Sequence, residues 1–232
     1  MMNAEYLGFM LIGGFFSIIG FIVSARLQSK FKHYSQIRIR SGLTGKEIAE
    51  AMLRHYGIHD VQVVPAQGML TDHYNPATKT VALSEAVYAT NSIAAAAVAA
   101  HECGHAVQHA TAYSMLQLRS RLVPIVNFSA MTQQWLLIGS FMLINTVPQL
   151  LLITAIVFGV TALFSFVTLP VEFDASRRAL AWLNESGMAR GEEYAGAKDA
   201  LWWAAMTYVV AAISALVMVV YLLLRYLGAS RD

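Results

Sequence analysis

The segment with the clearest chemical potential is the pentapeptide His101-Glu102-Cys103-Gly104-His105. Residues four apart on a helix are neighbours on one face, so both imidazoles could reach a single Zn²⁺ ion. Zinc binds histidine nitrogen at about 2.0–2.1 Å. Glu102 lies about 100° further round the helix, where its carboxylate could take a proton from water as that water attacks a carbonyl. The spacing therefore predicts a hydrolytic zinc centre with His101 and His105 as ligands and Glu102 as the general base.

A catalytic zinc site usually needs a third protein ligand, and the sequence offers several candidates. His109 continues the same helix, but it lies about 12 Å beyond His101 along the axis, too far to share an ion without a break. Glu172 follows the end of an apolar segment, where a carboxylate is costly unless it has a partner. The alternative for Glu172 is an acid in a first helical turn, which the helix dipole favours. Asp174 is its rival as a ligand, or it could hydrogen-bond a ligand imidazole.

The composition places these residues in a membrane protein. Of the 232 residues, 57% are hydrophobic and only 13% are charged, whereas soluble chains carry about 25% charged residues. These values exclude a disordered chain and a purely soluble enzyme. The 16 basic and 14 acidic residues nearly balance, so no nucleic-acid partner is expected. A single cysteine, Cys103, excludes an internal disulfide bond.

The missing charge is concentrated in three blocks, residues 6–25, 122–171 and 200–224, which contain no Asp, Glu, Lys or Arg. A membrane-spanning helix needs about 20 apolar residues. The second block would be about 75 Å long as one helix, so it must fold back, and Pro148 marks the turn. The sequence therefore predicts four transmembrane helices, at residues 4–25, 126–147, 149–169 and 204–227.

A small α+β unit is predicted between the first two spans. A capping box from Thr44 to Glu47 begins an amphipathic helix. Strand signals follow at 61–64, 69–74 and 80–83. Ser92 then caps a long helix that contains the pentapeptide and runs to Ala110. The predicted organisation is an anchor (1–25), a catalytic unit (26–121), a transmembrane hairpin (122–169), a third-ligand segment (170–203) and a C-terminal transmembrane helix (204–232).

The basic residues predict the orientation of this chain. Four spans would place residues 26–125 and 170–203 on one side, and these two segments hold all of the 16 Lys and Arg residues except Arg225 and Arg231. Cationic side chains close to span ends mark the cytoplasmic face. We therefore expect a multi-pass protein of the cell (inner) membrane with its active site on the cytoplasmic face.

Three motifs together resemble the YugP-type neutral zinc metallopeptidases of bacteria: LTDHYNP at 70–76, HECGHAVQ at 101–108 and LPVEFDAS at 169–176. The resemblance covers nearly the whole chain. This family is similar in plan to the HtpX-type and CAAX-processing membrane proteases. The resemblance implies a zincin-like unit that holds one Zn²⁺ per chain through His101, His105 and Glu172, with Glu102 as catalytic base. In HtpX-type proteases an aspartate follows the glutamate after four residues, whereas Ser176 stands at that position here.

The sequence thus predicts a mainly α, membrane-embedded zinc endopeptidase. Its partners would be the lipid bilayer and a peptide or protein substrate, which could be membrane-associated. The strand at 69–74 could bind substrate in extended form, and His73 or Tyr74 could donate a hydrogen bond to the tetrahedral intermediate. Two alternatives stay open. An intramembrane-cleaving protease needs the pentapeptide helix to cross the bilayer, and a non-catalytic zinc-binding scaffold or chaperone normally needs four protein ligands.

Overall fold

The computed structural model describes residues 4–229 and divides into two compact units. The all-helical unit comprises Met1–Val23, Leu118–Leu169 and Thr207–Asp232. The α+β unit comprises Ser24–Gln117 and Pro170–Met206. Within the described residues the helices are α1 (Ala4–Ser35), α2 (Gly45–His55), α3 (Glu85–Tyr88), α4 (Ile93–Ala110), α5 (Ser114–Met142), α6 (Gln149–Glu185) and α7 (Glu192–Ala229), and the strands are β1 (Gln62–Ala66), β2 (His73–Asn75) and β3 (Thr80–Ser84).

Three helices are long and apolar enough, by length and composition, to cross a membrane. They are α1 from Leu7 onwards, α6 and α7, and they contain the predicted spans 4–25, 149–169 and 204–227. The remaining predicted span, 126–147, lies mostly on α5, which does not meet the same criterion among the described residues. Helix α5 carries Asn127, Gln133 and Gln134, and it ends at Met142 rather than at residue 147. The sequence prediction therefore extended this helix too far into the turn.

Helix α6 continues through Pro170, where the sequence prediction had ended a span. The helix runs on to Glu185. Proline removes one backbone N–H, but a full break would leave more polar groups without partners, and this is costly in apolar surroundings. Glu172 consequently lies well inside α6. The interpretation of Glu172 as an acid in a first helical turn is wrong.

A three-stranded sheet belongs to the α+β unit, with strand order β1-β3-β2. Strand β3 pairs in parallel with β1 and antiparallel with β2, which places Tyr74 opposite Val81. The predicted strand at 69–74 is wrong in its first part because Leu70 has a φ of 56°, in the left-handed region. The predicted turn after β2 is confirmed, since Asn75 Oδ1 accepts hydrogen bonds from the backbone N–H groups of Ala77 and Thr78.

The predicted helix starts in this unit are confirmed. Thr44 caps α2 and forms the full capping box with Glu47. Ser92 caps α4, and its hydroxyl oxygen accepts a hydrogen bond from the backbone N–H of Ala95. These side chains satisfy N–H groups that a helix leaves unpaired at its first turn. The start of α4 is thereby fixed, and with it the position of the pentapeptide two turns further on.

The core of the α+β unit forms around α4, whose alanines allow neighbouring elements to approach closely. Large buried side chains come from α2, β3 and the second half of α6, namely Ile48, Met52, Leu83, Leu183 and Trp182. A separate cluster in the all-helical unit joins α5, α6 and α7 through Phe141, Leu151, Phe158 and Leu222, among others. Burial on nearly all sides holds α4 rigidly, which a precise ligand geometry requires.

Candidate metal centre

Helices α4 and α6 come into close contact at Gly104. A Cβ atom at this position would lie 2.6 Å from the backbone oxygen of Ala175, closer than such atoms approach in folded proteins. Only glycine therefore allows the two backbones to lie this near. On α6, Glu172 and Ser176 lie three residues before and one residue after Ala175, and on α4, His101 and His105 lie three residues before and one residue after Gly104. The contact therefore brings the histidine-bearing part of α4 next to the Glu172 turn of α6.

The three predicted ligands lie together at this contact. Nε2 of His101 is 3.3 Å from Oε2 of Glu172, and Nε2 of His105 is 3.6 Å from the same oxygen. One ligand atom from each residue lies within 4.8 Å of the others, so the group could hold a metal ion. A tetrahedral zinc ion with ligands at about 2.0–2.1 Å separates any two of them by about 3.3 Å. The two distances to Glu172 are therefore close to those of a zinc site.

The two imidazole rings are oriented by partners on their other nitrogen atoms. Nδ1 of His101 lies 3.1 Å from the Ser176 hydroxyl, and Nδ1 of His105 lies 3.0 Å from Oε1 of Gln108. The rings are nearly perpendicular, at 85°, with centroids 4.8 Å apart. With Nδ1 engaged in this way, the Nε2 atoms are the ones available to a metal ion.

Burial and charge act in opposite directions on His105. Burial disfavours the imidazolium form, but the hydrogen bond and charge of Glu172, with a contribution from Glu102, outweigh it and raise the pKa of His105 above its ordinary value. In the metal-free protein the imidazole therefore retains a proton more readily than a free histidine does. A metal ion must displace that proton because only neutral imidazole is a ligand.

The two residues beside the ligands differ in what they can do. Glu102 is buried, with 8% of its surface exposed, and it adjoins His101 in the sequence. Cys103 points away from the metal group: it is fully buried, and its Sγ lies 3.5 Å from the backbone oxygen of Ala49 in α2. Burial raises the pKa of the Cys103 thiol far above its ordinary value. Cys103 is therefore a neutral packing residue.

The other candidates from the sequence lie outside the ligand group. Among the described residues, the group contains neither His109 nor Asp174. Nδ1 of His109 is 2.7 Å from the hydroxyl of Tyr74 on β2. Asp174 accepts hydrogen bonds from Gln108, Arg177 and Arg178, so its partners are an amide and two guanidinium groups and not a ligand imidazole. His73 turns back on its own loop, with Nδ1 2.8 Å from the Thr71 carbonyl oxygen.

Sequence reasoning missed the roles of Gln108 and Ser176 at the site. A signal existed for each. Gln108 is three residues after His105 on the same helix, which is a helical-neighbour spacing. Ser176 is four residues after Glu172, at the position where HtpX-type proteases carry an aspartate. Neither signal shows which histidine the side chain contacts, because that depends on how α4 and α6 cross.

Comparison with known proteins defines the class. Residues 9–227 match the family described as "Putative neutral zinc metallopeptidase". The chain belongs to this family. It is also similar to a protein of Bacillus subtilis (strain 168) named "Putative membrane protease YugP", with 40% identity over 198 residues that cover 85% of this chain and 87% of that protein. No solved structure matches the chain.

Proposed function

We propose that this protein is a membrane-embedded zinc-dependent endopeptidase. The observation that carries the proposal is the group of His101, His105 and Glu172, whose ligand atoms lie within 4.8 Å of one another. Family membership supports zinc as the ion and peptide bonds as the substrate, and the name of the similar B. subtilis protein supports a membrane protease. One Zn²⁺ per chain would be held by these three side chains, which leaves a fourth position open, as catalytic zinc sites do.

The protein side chains would divide the chemistry between them. When bound, zinc would lower the pKa of a water molecule and polarise the scissile carbonyl. Glu102 would take the proton from that water as the water attacks the carbonyl carbon, and it would deliver the proton to the leaving amine. Two imidazoles and one carboxylate would hold the ion with a single negative charge from the protein.

The apolar helices support the membrane arrangement that we propose. Helices α1, α6 and α7 meet the length and composition of spans, and we include α5 as the fourth because it precedes α6 through a short turn. The segments 1–25, 122–169 and 204–232 would then form the membrane part, and 26–121 with 170–203 would carry the site. The excess of Lys and Arg in those two segments favours the cytoplasmic face. Fusion of a reporter to the C-terminus should then report the opposite side of the membrane.

Two observations weigh against the alternatives. Intramembrane cleavage would require α4 to span the bilayer, but the apolar stretch of α4 before the pentapeptide covers only residues 93–100, far short of the about 20 residues that a span needs, and α4 packs within the α+β unit. A structural zinc site normally has four protein ligands, and the ligand group found in the described part of the chain has three.

The change Glu102→Gln tests this function. Wild-type protein in detergent should cleave members of a proteome-derived peptide mixture, and Glu102→Gln should lower the rate by about 10²–10⁴-fold while zinc stays bound, because only the base is lost. Glu185→Gln makes the same chemical change at an exposed carboxylate at the end of α6, and it should leave the rate unchanged. Cleavage by Glu102→Gln at the wild-type rate would show that the mechanism is wrong.

A further inference from the structure

A buried network of hydrogen bonds runs from His105, one of the proposed ligands, to α6. Oε1 of Gln108 lies 3.0 Å from Nδ1 of His105. Nε2 of the same amide donates to the carbonyl oxygen of Val171 at 2.8 Å and to Oδ2 of Asp174 at 2.9 Å. Gln108 has no exposed surface, and Asp174 has 4%. Water is therefore excluded from this network of hydrogen bonds, and breaking any one of the bonds would leave a buried polar group without a partner at a cost in stability.

The Val171 carbonyl determines where the hydrogen atoms lie in this network of hydrogen bonds. The Val171 carbonyl can only accept a hydrogen bond, so the amide atom beside it must be the Gln108 nitrogen. The other amide atom is then the oxygen, which can only accept. Nδ1 of His105 must therefore carry the hydrogen, and Nε2, the atom near Glu172, must hold the free lone pair in neutral imidazole.

The orientation of Asp174, at the other end of this network, is fixed by charge. Asp174 accepts hydrogen bonds from the guanidinium groups of Arg177 and Arg178 on the same helix, the latter at 2.6 Å. Hydrogen bonds to ionised groups are stronger than those between neutral groups. Because two cations hold the carboxylate, its oxygen stays aimed at Gln108. The amide is thus held at two points on α6 and cannot turn over without losing both bonds.

The other histidine lacks such an arrangement. Nδ1 of His101 faces the hydroxyl of Ser176 at 3.1 Å, and a hydroxyl can donate or accept. This contact is compatible with a hydrogen on either nitrogen of His101. The two imidazoles therefore differ. The tautomer of His105 is fixed by Gln108 and its partners on α6, whereas the tautomer of His101 is not fixed by Ser176.

We propose that Gln108 is a positioning residue of the metal centre, which holds His105 with the hydrogen on Nδ1 so that Nε2 is presented to a zinc-type divalent cation. The proposal rests on the metal ligation set out under the proposed function. Gln108 would act only through His105 and would touch neither substrate nor ion. Its loss should weaken metal binding by about 10–100-fold, as is typical when the outer partner of a ligand is removed.

The test replaces zinc with Co²⁺ in the full-length protein in detergent. Paramagnetic cobalt shifts the Nδ1–H protons of bound imidazoles out of the main proton spectrum, so their exchange with solvent can be followed separately. The wild type should show one slowly exchanging proton, from His105. Gln108→Met, which keeps the length of the side chain, should remove that slow signal and raise the zinc dissociation constant, measured by competition with a chromophoric chelator. The matched control is Ser176→Ala, which should keep the slow signal.

The outcomes separate this inference from the proposed function. An unchanged slow proton and an unchanged zinc affinity in Gln108→Met would overturn the role of Gln108 and leave the ligand set intact. If that variant does not fold, the wild type and Ser176→Ala decide: loss of the slow proton in Ser176→Ala would assign it to His101 and overturn the proposal. Failure of the wild type to bind cobalt would overturn both the inference and the proposed ligand set.

Discussion

Helix α6 buries polar side chains in both units of the protein, and the two sets differ in kind. In the all-helical unit, Thr161 donates a hydrogen bond to Oε1 of Gln133 at 3.1 Å. The hydroxyl of Thr154 lies 2.8 Å from the carbonyl oxygen of Leu150 on its own helix and 3.2 Å from that of Leu136 on α5. In the α+β unit the same helix carries two carboxylates, Glu172 and Asp174. Each of these carboxylates contacts several side chains, whereas the threonines make single contacts to α5.

The threonine hydroxyls and the carboxylates of α6 differ in how much it costs to bury them. Neutral hydroxyl contacts between membrane helices are worth about 0.6 kcal/mol each, and they need no further reason than helix association. A buried carboxylate is much more expensive, and it persists only where cations or hydrogen bonds compensate it. Glu172 faces two imidazoles and Asp174 faces two guanidinium groups. The charged set therefore indicates a site, and the neutral set indicates packing.

The largest expected effect is that of Gly104→Ala. The new methyl group would meet the backbone of Ala175 at 2.6 Å, so α4 and α6 must separate. Overpacking typically costs about 1–3 kcal/mol, and separation would also move Glu172 away from both histidines. We expect a lower midpoint of thermal unfolding and a zinc affinity reduced more than in Gln108→Met. Zinc titration and thermal unfolding of the same preparation measure both, and wild-type values for both would refute the close contact.

A second prediction concerns pH. The pKa of His105 is raised, so its proton competes with zinc, and the dissociation constant should rise about tenfold per pH unit for each displaced proton as pH falls below that pKa. In the metal-free protein a lower pH has the opposite effect, because it favours the folded state. The protonated imidazole beside Glu172 stabilises the fold below the ordinary histidine pKa of 6.5, and this contribution is lost as pH rises through the raised pKa.

Chelator competition across this pH range measures the change in the zinc dissociation constant. Unfolding of the metal-free protein over the same range measures the change in its stability. Zinc affinity that stays constant as pH falls through and below the raised pKa would contradict the assignment of His105 as a ligand.

The smallest expected effect is that of Gly159→Ala, the counterpart of Gly104→Ala in the all-helical unit. Gly159 also lies on α6, but a Cβ there would meet nothing within 4 Å. Alanine should therefore stabilise the helix by about 0.5–1 kcal/mol through its better helix propensity, and zinc affinity should not change. A clear loss of zinc in this variant would mean that any change in α6 disturbs the site, and the comparison between the two glycines would fail.

Local features of the fold were predictable from the sequence because they depend on neighbouring residues. The caps at Thr44 and Ser92, the turn after Asn75 and the helical spacing of His101 and His105 are all of this kind. The position of Glu172 after an apolar segment made it a candidate for the third ligand, and the resemblance of the motifs to a known family then favoured it. Each of these predictions needs only residues within a few positions of one another, or a family pattern.

The remaining features depend on contacts between distant segments, which spacing does not encode. The continuation of α6 through Pro170 overrides the local preference of proline to end a helix. The need for glycine at position 104 follows from the approach of Ala175, and the role of Gln108 follows from Val171 and Asp174 on the other helix. A local propensity was correct where nothing distant opposed it, and it failed where a second helix set the geometry.

Zinc content in Glu172→Ala shows whether one metal ion is held jointly by α4 and α6. Elemental analysis of purified wild-type protein should find about one zinc ion per chain. Glu172→Ala should retain only a small fraction of that zinc after dialysis, whereas Glu185→Ala, a change at an exposed acid on the same helix, should retain all of it. Full zinc occupancy in Glu172→Ala would contradict joint ligation, because the two histidines of α4 would then hold the ion without α6.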